Sequence, residues 1–190
     1  LGVARNNKQA VAWYQKAAQQ GFALAQINLA LMYENGRGVA RNDKQAAVWY
    51  QKAAQQGHAG AQSSLGLLYA NGRGVAKNDK QAVAWYQKAA QQGDVRAQTN
   101  LGVMYAEGRG VAQSYQQAKA WWQKAAQQGD ARAQNNLGMM YAEGIGVAKN
   151  PQQAKAWFQK VLAQPDTKEN AEARAFARDY LQKLSDAGIR

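Results

Sequence analysis

Residues 12–21 read AWYQKAAQQG, and these ten residues return almost unchanged at 48–57, 84–93 and 120–129. Each copy starts 36 positions after the one before it. Self-similarity at a fixed period of this length predicts a solenoid, in which each repeat buries its apolar face against its neighbours. The 190 residues therefore read as one array of about five repeats rather than as separate globular domains.

Each repeat carries the signals of two helices, as residues 42–72 show. Asn42 with Gln45 three residues later is typical of a capping box at a helix start, and Gly57 supplies a left-handed residue that ends the helix. Apolar residues then recur at helical spacing up to the connector at Gly72. These signals predict an all-α fold. Helices are expected at 7–20, 23–35, 43–56, 59–71, 79–92, 95–107, 115–128, 131–143, 151–163 and 167–185.

Two sets of equivalent residues are expected to pack between the helices. The first is a set of glycines inside helices, where Gly costs about 1 kcal/mol relative to Ala, so we expect them to allow close helix approach. The second is a column of tryptophans beside alanines, which we expect to be core rather than a surface that stacks bases or glycans. These residues are Gly66, Gly102 and Gly138, and Trp13, Trp49, Trp85, Trp121 and Trp157.

The two ends of the chain differ from the repeats. The array is expected to span residues 1–165, as four full helix pairs and a leading helix. In residues 166–190, Asp166 and Glu169 indicate a capping box, and the apolar positions that follow have the spacing of an amphipathic helix. We expect this segment to be a C-terminal cap that covers the last repeat.

The first residues align with the middle of a repeat, since residues 1–3 correspond to residues 37–39. We therefore expect further repeats, and any signal peptide, upstream of this sequence. The face of the leading helix that carries Ala10, Trp13 and Ala17 would then lack its neighbour. We expect the chain to self-associate through this apolar edge.

Composition and charge narrow the functional classes. No apolar run reaches the roughly 18 residues of a transmembrane helix, and the chain has no Cys for a disulfide or a thiolate metal site. The formal net charge of +12 lies in the repeats, because residues 166–190 carry equal numbers of acidic and basic side chains. One lysine column is either a solvated surface or a binding surface for a polyanion such as nucleic acid, lipopolysaccharide or an acidic protein. The column is Lys16, Lys52, Lys88, Lys124 and Lys160.

The sequence assembles no catalytic or cofactor site. His58 is the only histidine, and it takes the place at which Asp94 and Asp130 can cap later helices, so we expect a structural or exposed role for it. Glu107 and Glu143 lie one repeat apart, which is too far for paired-carboxylate chemistry. The glycine-rich connectors lack the Lys-Ser/Thr pair of a P-loop. We expect a protein that is not an enzyme and that binds no cofactor or metal.

The repeated pattern A-Q-x-N-L-G-x-M-Y-x-x-G-x-G-V…A-x-x-W-Y-x-K-A-A-x-x-G is similar to the Sel1-like repeat, a relative of the tetratricopeptide repeat with a longer turn between its helices. The resemblance covers residues 1–165. It implies a right-handed α-solenoid, a superhelix of antiparallel helix pairs, and an interaction scaffold of the kind common in bacterial cell envelopes and host-contact proteins. It also favours a periplasmic or secreted location. Cysteine-rich relatives have been described as penicillin-binding, but the absence of Cys and of an S-x-x-K arrangement makes β-lactam binding or hydrolysis a minor alternative.

In tetratricopeptide-like superhelices the first helix of each pair lines the concave groove, so the resemblance implies that a protein or an extended peptide binds there. Helical spacing predicts exposed positions at residues 24, 27, 28, 31, 34 and 35 and at their counterparts in later repeats. The column of residue 28 is mostly Asn, which either bonds the peptide backbone or ties neighbouring helices together. The arginines of the column of residue 24 suit acidic groups on a partner. The expected partner-binding residues are Leu24, Asn28, Leu31, Ser64, Leu67, Arg96, Asn100, Val103, Arg132, Asn136 and Met139.

Overall fold

The computed structural model describes residues 2–189, with side chains from residue 6 onward, and it contains ten α-helices and no strand within that range. The all-α prediction is therefore confirmed, and eight of the ten helices lie within a residue of their expected bounds. The helices are α1 (Gly2–Gln19), α2 (Ala23–Asn35), α3 (Asp43–Gln55), α4 (Ala59–Asn71), α5 (Asp79–Gln91), α6 (Val95–Glu107), α7 (Tyr115–Gln127), α8 (Ala131–Glu143), α9 (Pro151–Ala163) and α10 (Ala171–Asp186).

The chain divides into two compact units. The first runs to Ala97 and includes Arg109–Val111, and the second consists of Gln98–Gly108 and the chain from Ala112 onward. In the first unit α1 packs on α2, α2 on α3, α3 on α4 and α4 on α5. In the second unit α7 packs on α8, α8 on α9, and α10 on both α9 and α8. Packing of neighbours in sequence order is the arrangement that a repeat array requires.

The second helix of each pair begins at a residue whose side chain caps it. Asn42 Oδ1 accepts a hydrogen bond from the Gln45 amide at 3.0 Å. The reciprocal half of the predicted capping box is not formed, because the Asn42 amide donates instead to the Tyr33 carbonyl of the preceding helix at 2.9 Å. This second bond joins the cap to the previous helix, so it fixes the connector as well as the helix end. The other caps with both bonds are Asn78, Ser114 and Asn150.

Two helix starts differ from their predictions. Helix α1 begins at Gly2, so Asn6 lies inside it rather than at its cap. The described chain has no earlier helix whose carbonyl could hold Asn6 as Tyr33 holds Asn42. Helix α10 begins at Ala171, because Asn170 closes a turn before it: its Oδ1 accepts from the Thr167 amide at 3.1 Å. The predicted Asp166–Glu169 capping box is therefore wrong.

The buried aromatic column is not the one that the sequence predicts. In four of the five repeats the residue that follows the predicted Trp is the one that fills the core: Tyr50, Tyr86, Trp122 and Phe158 are all at most 4% exposed. Of the predicted column only Trp49 is buried; Trp85, Trp121 and Trp157 are half-buried and Trp13 is 69% exposed. The expectation that this Trp column is core is therefore wrong for four of its five members.

The helix glycines explain which ring is buried. A Cβ placed on Gly66 would lie 2.8 Å from the Tyr86 ring, and one on Gly102 would lie 2.4 Å from Trp122 Nε1. Real Cβ atoms do not approach that closely, so each glycine provides the space into which the ring of the next helix fits. Gly138 does the same for Phe158. The prediction that these glycines allow close helix approach is confirmed.

Candidate functional site

None of the eleven expected partner-binding residues is fully buried. The column of residue 28 was expected to be exposed, and its three amides, Asn28, Asn100 and Asn136, are half-buried. The exposed members are Leu24, Leu31, Leu67, Arg96 and Arg132, and the other half-buried ones are Ser64, Val103 and Met139.

Two other columns that were expected to be exposed are largely buried. In α8, Asn135 is 6% exposed and Ala142 is 5% exposed. These positions continue the buried stripe of Ala131 and Gly138, at spacings of four, three and four residues, so they share its helix face. The columns of residues 27 and 34 therefore belong to the packed side of these helices in the later repeats. Other buried members are Ser63, Thr99 and Ala70.

The Asn amides are not used to hold the fold together. Among the described residues, the side chains of Asn28, Asn100 and Asn136 make no hydrogen bond. An amide carries two donors and an acceptor, and each group that is withdrawn from water without a partner costs free energy. Half-buried amides of this kind remain available to a ligand that brings matching groups.

Glutamines tie neighbouring helices together instead, a role that the sequence analysis missed. Gln62, which is 4% exposed, donates from Nε2 to the Ala54 carbonyl at 3.1 Å and accepts at Oε1 from Gln92 at 2.8 Å. The sequence does contain a signal, because the paired glutamines always stand 30 positions apart. The equivalent pairs are Gln56–Gln26, Gln128–Gln98 and Gln164–Gln134, at 2.8, 2.9 and 2.9 Å.

The connector arginines are also engaged within the fold. Arg73 lies 3.0 Å from Asp43 and 3.2 Å from Glu34. Arg109 lies 2.9 Å from Asp79. Hydrogen bonds from these arginines hold the pKa of Asp43 and that of Asp79 below the usual carboxyl value.

The arginines at the expected partner-binding positions are different. Arg96 and Arg132 are exposed and form no salt bridge within the described chain. The two lie in different units, Arg96 in the first and Arg132 in the second. An exposed guanidinium without a carboxylate partner can bind an acidic group with two parallel hydrogen bonds.

The second unit brings several expected residues together around cavities. Asn100, Val103, Arg132 and Asn136 line one cavity of about 320 Å³ with residues of α10. Val103 and Asn136 also line a neighbouring cavity of about 220 Å³, to which Met139 contributes. Five of the eleven expected residues therefore surround adjoining cavities in one unit.

The sequence of this chain matches one family model along nearly its whole length. The Sel1 repeat model matches residues 1–22, 23–58, 59–94, 95–130 and 131–166. The chain belongs to the Sel1 repeat family. Sel1 repeat proteins generally act as non-enzymatic scaffolds that bind other proteins. No curated protein sequence matched the chain.

Solved structures of Sel1 repeat proteins are similar to this chain. A protective antigen of uropathogenic Escherichia coli, c5321, is 41% identical over 80% of the chain with a TM-score of 0.78, and the chain spans only 33% of that protein. A Sel1 repeat protein of Oxalobacter formigenes is 34% identical, with 90% of this chain and 76% of that one covered and a TM-score of 0.78. Cysteine rich protein B of Helicobacter pylori is 25% identical, with 69% and 94% covered and a TM-score of 0.55.

His58 precedes α4 and makes no capping bond, whereas Asp94 and Asp130 cap their helices at 2.8 and 2.7 Å as expected. Within residues 2–189 no cluster of His, Asp or Glu could hold a metal ion. No described helix is long and apolar enough to cross a membrane.

The lysine column forms a separate surface on the second helices of the pairs. Each lysine is exposed and places its ammonium over the ring of the Trp three residues before it, as Lys52 does at 4.4 Å from Trp49. Trp85, Trp121 and Trp157 are half-buried, so one part of each ring packs against the protein and a face meets the cation. The other pairs are Lys16–Trp13, Lys88–Trp85, Lys124–Trp121 and Lys160–Trp157, at 5.0, 4.4, 4.3 and 4.2 Å.

Proposed function

We propose that this Sel1 repeat chain is a non-enzymatic scaffold that binds an extended segment of a partner protein along the first helices of its repeats. The observation that carries the proposal is the set of half-buried Asn side chains without an internal hydrogen bond. The Gln pairs already tie the helices together, so the Asn side chains are not needed for that purpose.

The chemistry of the Asn side chains suits a peptide backbone. A side-chain amide can donate to a backbone carbonyl and accept from a backbone N–H, so it binds main chain without selecting the side chains. In the second unit, Asn100 and Asn136 line the same cavity, beside Val103 and the exposed Arg132. We expect Arg132 to bind an acidic residue of the partner, and a charge-assisted bond of this kind contributes about 1.5–3 kcal/mol.

The first unit contributes a more apolar stretch. Leu24 is 68% exposed, Leu31 41% and Leu67 39%, and Asn28 and Ser64 lie among them. Among the expected partner-binding residues of this unit, Arg96 is the one cation. We expect the first unit to bind apolar side chains of the partner, because exposed aliphatic groups gain free energy when a partner covers them.

A peptide selection tests the proposal. Random 12-residue peptides are displayed and selected on the full chain, and the affinity of the selected peptides is then measured on variants. Arg132→Ala is expected to weaken acidic peptides at least about tenfold, and Asn136→Ala to weaken most peptides, both with unchanged helical circular dichroism. The matched control is Lys52→Ala with Lys88→Ala, which removes two cations from the other surface and should leave the affinity almost unchanged.

The alternative function is binding of a polyanion through the lysine column. The ammonium groups lie over the Trp rings and are exposed, so they present a row of cations to a partner. Such binding weakens steeply with salt and shows little sequence preference. If Lys52→Ala with Lys88→Ala reduces partner binding more than Arg132→Ala does, the lysine surface is the functional one and the proposal is wrong.

We also propose that the chain self-associates through the leading helix. Trp13 is 69% exposed and Phe22, just after the helix, is 61% exposed. Large apolar side chains at this exposure favour contact with a second copy. Sedimentation equilibrium should show concentration-dependent association that Trp13→Ala weakens, and a strictly monomeric chain at high concentration would refute it.

A further inference from the structure

The residues that line the cavity of about 320 Å³ in the second unit range from buried to exposed. Its deepest residues are Thr99 and Asn135, at 2% and 6% exposure. Val103 and Ala173 are half-buried, and the Phe176 ring is 39% exposed, so apolar groups form the walls. Arg132 and Glu172 are exposed at the rim. Helix α10, which the sequence predicts to be a cap, thus supplies one side of a pocket.

The two most buried residues of this pocket, which we call its floor, each carry a polar atom without a partner. Thr99 Oγ1 and Asn135 Oδ1 are buried and make no hydrogen bond within the described chain. The orientation of Asn135 is fixed, because its Nδ2 donates to the Ala173 carbonyl of α10 at 2.8 Å. Buried polar groups are paired in the great majority of proteins, so two unpaired ones at the floor of one cavity indicate a site that a ligand completes.

The two unpaired oxygens determine which chemical group of a ligand can bind next to them. An amide oxygen can only accept a hydrogen bond, and a threonine hydroxyl can accept as well as donate. A helical threonine has two accessible χ1 rotamers, so Thr99 can turn its hydroxyl toward the pocket. The ligand group that reaches the floor therefore has to be a donor, while the group that fills the walls has to be apolar.

We propose that this pocket binds one tyrosine side chain of the extended peptide, with its ring between Val103 and Phe176 and its hydroxyl donating to the floor. The inference rests on the proposed peptide-binding function and names its specificity in the second unit. Tyrosine combines an apolar ring with a donor at its end, and a buried tyrosine hydroxyl usually finds such a partner. Phenylalanine fills the same space but has no hydroxyl group to pair with the atoms of the floor.

A double-mutant cycle between the two hydroxyl groups tests this assignment. The blocked peptides acetyl-Gly-Gly-Tyr-Gly-Gly-amide and its Phe counterpart are titrated into the ¹⁵N-labelled full chain, with wild type, Thr99→Val and Thr99→Ser compared. The wild type should bind the Tyr peptide about fivefold more tightly than the Phe peptide. Thr99→Val should reduce the Tyr preference, because only Asn135 Oδ1 then remains to pair with the Tyr hydroxyl, and Thr99→Ser, which keeps the Thr99 hydroxyl, should retain the full preference.

The outcomes separate this inference from the proposed function. Equal affinity of wild type for the two peptides, or a Tyr preference that is undiminished in Thr99→Val, overturns the tyrosine pocket. If the peptides selected by display still depend on Asn136 in that case, the scaffold function stands and only the pocket assignment fails. If no peptide of either kind binds, both fail. Ser63→Ala controls for a general effect, since Ser63 is equally buried in α4 and lines no part of this pocket.

Discussion

Replacement of Gly66 by Ala should destabilise the first unit by about 1–2 kcal/mol. The new Cβ would lie 2.8 Å from both Cδ1 and Cε1 of Tyr86, well inside the 3.5–4.0 Å separation that is optimal for carbon atoms. The Tyr86 ring is 1% exposed and cannot move aside into solvent. Overpacking of this kind costs typically 1–3 kcal/mol, and a rigid ring places the cost in the upper half of that range. The better helix propensity of Ala offsets about 1 kcal/mol of it.

Gly60 is the matched control, because it lies on the same helix and a Cβ there would have no atom within 4 Å. Gly60→Ala should therefore stabilise the chain by about 0.5–1 kcal/mol through helix propensity alone. Urea unfolding followed by far-UV circular dichroism measures both variants, and their m-values should match that of the wild type. The reasoning is refuted if Gly66→Ala raises the unfolding midpoint as much as Gly60→Ala does.

Three further changes test other parts of the fold. Gln62→Leu removes the hydrogen bond to the Ala54 carbonyl and the one from Gln92, and it should lower the free energy of unfolding in urea by about 2 kcal/mol. Gln55 is exposed, so Gln55→Leu should change that free energy by less than about 0.5 kcal/mol. Thr99→Val removes an unpaired buried hydroxyl at nearly constant volume, so thermal unfolding of the free chain should show unchanged or higher stability; a loss of more than about 1 kcal/mol would contradict this. The Arg109 hydrogen bond lowers the folded pKa of Asp79, so the bond stabilises the fold above the unfolded carboxyl pKa of about 3.9 and is lost as the pH falls through the folded value. Asp79→Asn should thus cost about 0.5–1 kcal/mol at pH 7 and nothing at a pH of about 2, and a cost that is independent of pH would argue against the ion pair.

The helices could be predicted because their signals are local. A cap such as Asn42 or Asn78 and a closing glycine act within one turn, and they recur in most of the repeats. The two wrong helix starts depend on less local features. Asn6 has the cap sequence but no preceding helix in the described chain to hold its amide, and the turn at Asn170 forms through bonds to Thr167 and Pro165.

The choice between neighbouring aromatic residues could not be made from helical spacing. Trp85 and Tyr86 are adjacent, and both border the same apolar stripe of α5. Which ring enters the core depends on the space at Gly66 of the preceding helix, and this is a property of the packed pair. Gly66 and Tyr86 are both present in the sequence, but only the structure shows that they are in contact.

The exposed residues of the candidate site could be predicted from the sequence, and its buried residues could not. Spacing placed Asn100, Asn136 and Arg132 on the surface of their helices, which the structure shows. It also placed Thr99 and Asn135 there, although both belong to the packed face of their helices, as the equivalent Ser63 does in α4. The roles of these residues in binding a partner remain predictions.

The most direct test of the scaffold proposal follows the side-chain amides themselves. A ¹⁵N–¹H spectrum of the full chain, recorded with and without a peptide selected by display, resolves the side-chain NH₂ groups of Asn and Gln. We predict that the signals of Asn100 and Asn136 shift on binding, while those of Gln62 and Gln134, which are held by internal hydrogen bonds, stay in place. Binding that leaves both Asn signals unchanged would contradict the account.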